Sequence, residues 1–128
     1  MAVYLGYQEF KRHNGKVLQD TFANPEIHGH LWWRNTRDNV QYFITTRSDD
    51  SLREQARTVI HELLHIGLEG DDLFLFSSMG RGITPSEMDK LHEYLLPVEA
   101  EVRKLTDEVY SCQPRFVEHI MRRFLKVD

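Results

Sequence analysis

The segment that begins at Ser51 has a helix-capping pattern and apolar side chains along one side. This segment limits the folds that the chain can adopt. Ser51 and Glu54 have the spacing of a capping box, in which the hydroxyl and the carboxylate satisfy free amides of the first helical turn. The apolar residues that follow recur every three or four positions: Ala56, Val59, Ile60, Leu63, Leu64 and Ile66. This pattern predicts an amphipathic helix that packs on a core and ends near Gly67 or Gly70.

The residues before this helix predict short strands joined by turns. Four segments are rich in β-branched and aromatic residues, at 3–7, 16–18, 28–33 and 40–46. The first two flank a turn signal at His13, Asn14 and Gly15. The last two are separated by a polar connection, and we expect them to pair as an antiparallel sheet.

Proline residues divide the rest of the chain into further helices. Thr84 and Pro85 suit the start of a second helix, because the first helical position leaves its amide unbonded and proline has none. Pro97 is expected to kink or restart this helix. Pro114 is expected to end it, and a short last helix follows over residues 116–125.

The whole chain is expected to form one α+β domain. Its 128 residues match the size of a single domain. The β-rich part covers residues 1–50 and the helical part residues 51–128, with a partly anchored loop over residues 69–84. Strands followed by a run of helices are typical of the α+β class.

Composition excludes several classes of protein. The single cysteine, Cys112, rules out an internal disulfide. The longest apolar runs are far shorter than the ~20 residues of a membrane span, and the first residues lack the features of a secretory signal. With 20 acidic against 16 basic residues and a net charge of −4, nucleic acid is not the expected partner. We therefore expect a cytoplasmic protein without membrane contact, and the oligomeric state is left open.

The predicted helix carries a HExxH pattern at His61, Glu62 and His65. Residues four apart on a helix point in nearly the same direction, so the two imidazoles can bind one Zn²⁺. Glu62 stands beside this pair, where it can accept a proton from a metal-activated water and return it to a leaving amine. The pattern predicts one catalytic zinc ion with Glu62 as general base and acid.

Around this motif the chain resembles the zincin metallopeptidases. A β-rich upper part, an edge strand, a HExxH helix and a helical lower part follow that family's order over roughly residues 38–111. The resemblance implies a zincin-like fold that hydrolyses peptide bonds, with a peptide or protein as substrate. It assigns substrate binding to an edge strand at residues 40–46, through Tyr42, Phe43 and Ile44, because a free strand edge pairs with an extended peptide.

A catalytic zinc needs a third protein ligand, and two glutamates are candidates. In the gluzincin branch, including its small members the minigluzincins, this ligand is a glutamate on a later helix, which resembles residues 98–106 here. Glu99 and Glu101 lie about equally far from the centre of that helix's apolar stripe, so periodicity does not choose between them. Glu99 is preferred because Arg103, four positions on, stands where the family places a supporting polar residue, more often Asp or Asn.

Asp71 is the alternative third ligand. It stands six positions after His65, where the metzincin branch places its third ligand. That branch turns its helix sharply at a glycine three residues after the second histidine, and this chain has Leu68 there. The gluzincin arrangement is therefore favoured.

Three further features bear on the site. His28 and His30 share one face of a strand and are interpreted as an exposed pair rather than a metal site. The resemblance makes Tyr110 the candidate for binding an oxyanion. It also suggests latency, with residues 112–128 occupying the cleft or Cys112 blocking the metal.

The sequence thus predicts a zinc metallopeptidase, and it leaves open whether the C-terminal segment or Cys112 makes the enzyme latent. The alternative is a binding or regulatory protein that keeps the zincin fold with little or no proteolytic activity.

Overall fold

The computed structural model describes residues 2–35, 40–69 and 85–125, which form an α+β fold. In chain order the elements are α1 (Ala2–Arg12), β1 (Lys16–Asp20), β2 (Gly29–Asn35), β3 (Val40–Arg47), α2 (Leu52–Glu69), α3 (Pro85–Cys112) and α4 (Pro114–Phe124). Of the loop predicted over residues 69–84, Glu69 belongs to α2, and the rest, including Asp71 and Thr84, lies outside the described residues. No described helix has the length and apolar character needed to cross a membrane.

The three strands form a mixed sheet in the order β1-β3-β2. β3 is parallel to β1, with Lys16 opposite Phe43, and antiparallel to β2, with Gly29 opposite Thr46. The predicted antiparallel pairing of the last two strands is confirmed. Two predictions are wrong: the sheet as a whole is mixed because β1 pairs in parallel, and residues 40–46 form its central strand rather than an edge. The physical reason is that residues 42–46 are buried in succession, so both faces of β3 are covered, as is typical of a central strand.

The first helix was not expected, because residues 3–7 favour a strand by composition. In the structure Val3, Gly6, Tyr7 and Phe10 are buried together on one side of α1. Their spacing of three and four is the helical period, which here outweighs the β propensity of single residues. At the end of α1, Asn14 adopts a left-handed conformation with φ of 52°. The predicted turn is present, and it joins a helix to β1.

The start of α2 is confirmed and is tied to the sheet by a buried glutamine. The Glu54 amide donates to the Ser51 hydroxyl at 3.2 Å, as a helix cap requires. Gln55 is 2% exposed, and its Oε1 accepts hydrogen bonds from Thr46 Oγ1 at 2.8 Å and from Gln19 Nε2 at 2.6 Å. This network fixes the first turn of α2 beside the ends of β1 and β3.

From that point α2 runs back across the sheet, since its apolar residues share one core with the earlier part of β3. The core includes Tyr42 and Ile44 from β3 and Val59, Leu63 and Ile66 from α2. α2 is therefore antiparallel to β3 and runs in the same direction as β2, which is itself antiparallel to β3.

Helix α1 crosses the far side of α2 at very close range. A Cβ added to Gly6 would overlap the carbonyl oxygen of Leu63, and one added to Gly67 would overlap that of Ala2. Only glycine lets two helix backbones approach this closely. The apolar stripe of α2 is thus sealed by α1 and the sheet.

The last two helices complete the core. α3 continues as one helix through Pro97, where a kink or a restart was expected. α4 begins at Pro114, and its Val117 and Ile120 are buried. Tyr7 of α1 and His119 of α4 share a hydrogen bond of 2.6 Å between the hydroxyl and Nε2. The C-terminal segment therefore packs on α1 and α2 as part of the scaffold.

Candidate metal centre

Two histidines of α2 and one glutamate of α3 converge. His61 Nε2 lies 3.0 Å from one carboxylate oxygen of Glu99, and His65 Nε2 lies 2.8 Å from the other. The two Nε2 atoms are 3.2 Å apart. In the part of the chain that the structure describes, these three residues form the only cluster of three or more His, Cys, Asp or Glu side chains able to hold a metal ion. Glu101 is exposed and does not belong to it.

The packing of α2 on α3 brings the cluster together. His61 and His65 are one turn apart and project from the same side of α2. Farther towards the start of α2, Arg57 forms an ion pair with Asp107 of α3. Because Arg57 precedes the histidines whereas Asp107 follows Glu99, the two helices are antiparallel. Glu99 is thereby held opposite the histidine pair.

The electrostatics of the cluster favour a charged carboxylate. Hydrogen bonds from His61 and then from His65 hold the pKa of Glu99 well below its usual range, although partial burial acts in the opposite direction. The exposed fractions of the His61, His65 and Glu99 side chains are 24%, 12% and 31%. The cluster is therefore sheltered from bulk solvent but open to a small ligand.

These donors fit a zinc ion. Two imidazole nitrogens and one carboxylate are a ligand set of catalytic zinc sites, which leave the fourth position open. Zinc bonds of about 2.0–2.1 Å in a tetrahedron place ligand atoms about 3.3 Å apart, and the three contacts here measure 2.8–3.2 Å. The candidate ligand atoms of these residues all lie within 4.8 Å of one another. A small outward adjustment of the side chains would accommodate the ion.

Glu62 follows His61 directly on α2, and its side of the helix is half-buried. Thr58 is four positions earlier and shares that side of the helix. Thr58 packs on the start of β2, because a Cβ added to Gly29 would overlap its side chain. The side of α2 that carries the histidine pair and Glu62 therefore meets the sheet at the start of β2.

The edge strand nearest the cluster is β2. From Gly29 to Leu31 the strand advances about 7 Å, and from Thr58 to Glu62 the helix advances about 6 Å in the same direction. Leu31 is thus level with Glu62. Among the described strands, β2 pairs only with β3.

The residues predicted to bind substrate do not line the cleft, by which we mean the space between the histidine pair and β2. Tyr42 and Ile44 are 1% and 0% exposed within the core. Phe43 is buried on the opposite face of the sheet, where Trp32 stacks on it at a ring distance of 4.2 Å. The assignment to β3 is wrong because this strand lies between two others, and β-augmentation requires a free edge.

Two further residues lie away from the cluster. Tyr110 stands about three helical turns, or about 16 Å, beyond Glu99 along α3, and its ring lies 5.4 Å from the Arg57 guanidinium carbon. Cys112 is exposed and lies still farther along the helix. The structure therefore does not place Tyr110 where it would bind an oxyanion, or Cys112 where it would block a metal.

The remaining predictions concern the C-terminal segment and the early histidines. Residues 112–125 belong to the end of α3 and to α4, and Val117, Ile120 and Leu125 among them are part of the core, so latency stays a prediction. His28 pairs through Nδ1 with Asp50 Oδ2 at 2.8 Å. His28 and His30 are both exposed, as their interpretation as an exposed pair predicts.

Three comparisons with known proteins were made. No protein-family model matches the sequence, and neither the search of curated proteins nor the search of solved structures returned a match.

Proposed function

We propose that this chain is a zinc-dependent hydrolase of peptide bonds, with His61, His65 and Glu99 as the metal ligands. The observation that carries the proposal is the convergence of these three side chains, with contacts of 2.8–3.2 Å between their donor atoms. The arrangement resembles that of gluzincins, since the third ligand is a glutamate on a later helix. One zinc ion per chain is expected.

The chemistry of peptide hydrolysis divides between the ion and Glu62. When bound, Zn²⁺ supplies Lewis acidity that activates a water and polarises a carbonyl. The Glu62 carboxylate accepts a proton from the attacking water and then delivers it to the nitrogen of the leaving amine. Its position one residue after His61 places this base next to the ligands without making it one of them.

The substrate strand in this proposal is β2. An extended peptide that adds to its free edge would exchange backbone hydrogen bonds with it, as in an antiparallel pair. Because Leu31 is level with Glu62, the scissile bond would lie near the middle of β2. Leu31 and Trp33 turn towards the core, so the contact with substrate is made mainly by the β2 backbone.

The decisive experiment compares the wild type with Glu62→Gln. The zinc-loaded wild type should bind one ion per chain by elemental analysis and should cleave members of a peptide library, as followed by mass spectrometry. Glu62→Gln should keep its zinc, since Glu62 is not a ligand, and lose about 10²–10⁴-fold in kcat, the usual contribution of a general base. Glu108→Gln, at an exposed position of α3, is the matched control and should retain full activity.

The possible outcomes separate the two function classes. Zinc bound without cleavage of any peptide would favour a binding or regulatory protein. A wild type that takes up no zinc, or a Glu62→Gln variant as active as the control, would overturn the proposed hydrolase.

A further inference from the structure

A cation stands directly beside the proposed metal ligands. Arg103 follows Glu99 by one turn of α3, and its Nε lies 3.6 Å from Glu99 Oε1, the same oxygen that faces His61 at 3.0 Å. The Arg103 side chain is 76% exposed, so most of its guanidinium faces solvent at the rim of the cluster. It is therefore able to meet a ligand that enters the cleft.

Arg57, the nearby cation on α2, has partners that are not candidate metal ligands. Arg57 pairs with Asp107, and its guanidinium lies over the Tyr110 ring. The carboxylate contact of Arg103 is longer, at 3.6 Å, and is made to Glu99, which the proposed metal would also use. Arg103 is thus the better placed of the two cations to receive a new anion.

Helix direction fixes the end of the cleft at which Arg103 lies. α3 is antiparallel to α2, because Glu99 faces the histidine pair and Asp107 faces Arg57. The step from Glu99 to Arg103 therefore leads towards the N-terminal half of α2. This is also the end at which Thr58 packs on Gly29, the first residue of β2.

Strand direction fixes the polarity of the peptide. β2 runs in the same direction as α2, so a peptide antiparallel to β2 runs from the level of Trp33 towards the level of Gly29. Its residues beyond the scissile bond, which depart with the leaving amine, lie at the Gly29 end. Arg103 and the leaving side of the peptide are therefore at the same end of the cleft.

We propose that Arg103 binds a carboxylate on the leaving side of the scissile bond, which makes this an enzyme for acidic or chain-terminal peptide segments. The carboxylate comes either from the chain terminus or from an Asp or Glu side chain. A guanidinium suits both, because its planar fork binds a carboxylate with two hydrogen bonds. This inference rests on the proposed hydrolase and on β2 as the substrate strand.

The test uses matched peptides that differ only in this charge. Zinc-loaded wild type should cleave peptides with a free terminal carboxylate, or with Asp rather than Asn after the scissile bond, about ten- to a hundredfold better in kcat/KM than their neutral partners. That range corresponds to one hydrogen-bonded charge pair. The terminal-acid and side-chain pairs of peptides identify which source of carboxylate is used.

Variants assign the preference to one residue. Arg103→Gln should reduce it to less than about threefold, and Arg103→Lys should keep part of it, since lysine retains the charge but not the fork. Lys104→Gln removes the neighbouring exposed cation of α3 and should leave the preference unchanged. A wild type without preference, or an Arg103→Gln variant that keeps it, would overturn the proposal.

A binding measurement separates this inference from the proposed reaction. Zinc-loaded Glu62→Gln should bind an acidic peptide about ten- to a hundredfold more tightly than its amide, and the double variant with Arg103→Gln should not distinguish them. If the wild type cleaves peptides but neither measurement depends on Arg103, only the inference is wrong. If no peptide is cleaved, the proposed hydrolase function is wrong. The difference in affinity between the acidic peptide and its amide then shows by itself whether Arg103 recognises a carboxylate.

Discussion

The two faces of α2 differ in burial: one lies in the core, and the other carries two of the candidate metal ligands. Ile60 and Leu63 are completely buried in the core. Their immediate neighbours His61 and Glu62 are half-buried on the other side, where His61 faces Glu99 of α3. A rotation of about 100° per residue separates the two environments. One helix thus carries both the scaffold and the candidate chemistry, and each face can be altered with limited effect on the other.

The largest expected effect comes from removing the scaffold beneath the cleft. Deletion of residues 113–128 removes the buried side chains of Val117, Ile120 and Leu125. Each contributes about 1.5–3 kcal/mol through burial, and together they amount to much of the roughly 5–15 kcal/mol that stabilises a domain. We expect the truncated chain to lose its cooperative thermal transition by circular dichroism.

Latency through the C-terminal segment predicts the opposite result. A truncated chain that melts like the full chain and cleaves peptides faster would show that this segment restrains the site. Full-length protein carried through the same preparation is the reference for both measurements.

A smaller effect is expected from Leu63→Ala, which changes only the apolar face. The cavity left by a buried leucine costs about 2–5 kcal/mol, measured as the change in the free energy of unfolding by urea. At 25 °C in the absence of denaturant, the variant should still bind one zinc per chain if it remains folded, because the ligands project from the opposite face. Loss of zinc from a variant shown to be folded would mean that the two faces are coupled.

The smallest effect on folding is expected on the site face, from Glu99→Gln. This variant should weaken zinc binding by at least the 10–100-fold that loss of an outer-shell partner costs, with the dissociation constant measured by competition with a chromogenic chelator. Glu101→Gln, two positions away and exposed, is the control and should leave zinc affinity unchanged. Equal losses in the two variants would remove Glu99 from the ligand set.

Features of the fold that depend on nearby residues could be predicted from the sequence. The cap at Ser51 and the apolar stripe of α2 lie within one segment, and the helix is observed where they place it. α1 was missed although its buried positions have the helical period. The β propensity of residues such as Val3 and Tyr4 favours a strand there. The helical spacing of the buried residues, which favours a helix, is clear only over the whole segment.

Features that depend on pairing between distant segments could not be predicted. Whether β3 is central or at an edge depends on where β1 pairs, and residues 21–39 separate β1 from β3 in the chain. The choice between Glu99 and Glu101 depends on how α3 is rotated against α2, because the two positions are equivalent in the pattern of α3 itself. Because the strand order makes β3 central and β2 an edge strand, the proposed substrate strand is β2 rather than β3.

The ligands of the candidate site come from two helices that are far apart in the sequence, and this has a consequence for the lifetime of the protein. An ion held by α2 and α3 together acts as a tether that exists only in the folded chain. By mass action, zinc at 100 times its dissociation constant would add about 2.7 kcal/mol to the free energy of unfolding. Metal supply would then set how often the chain opens to degradation, and so its abundance as well as its activity.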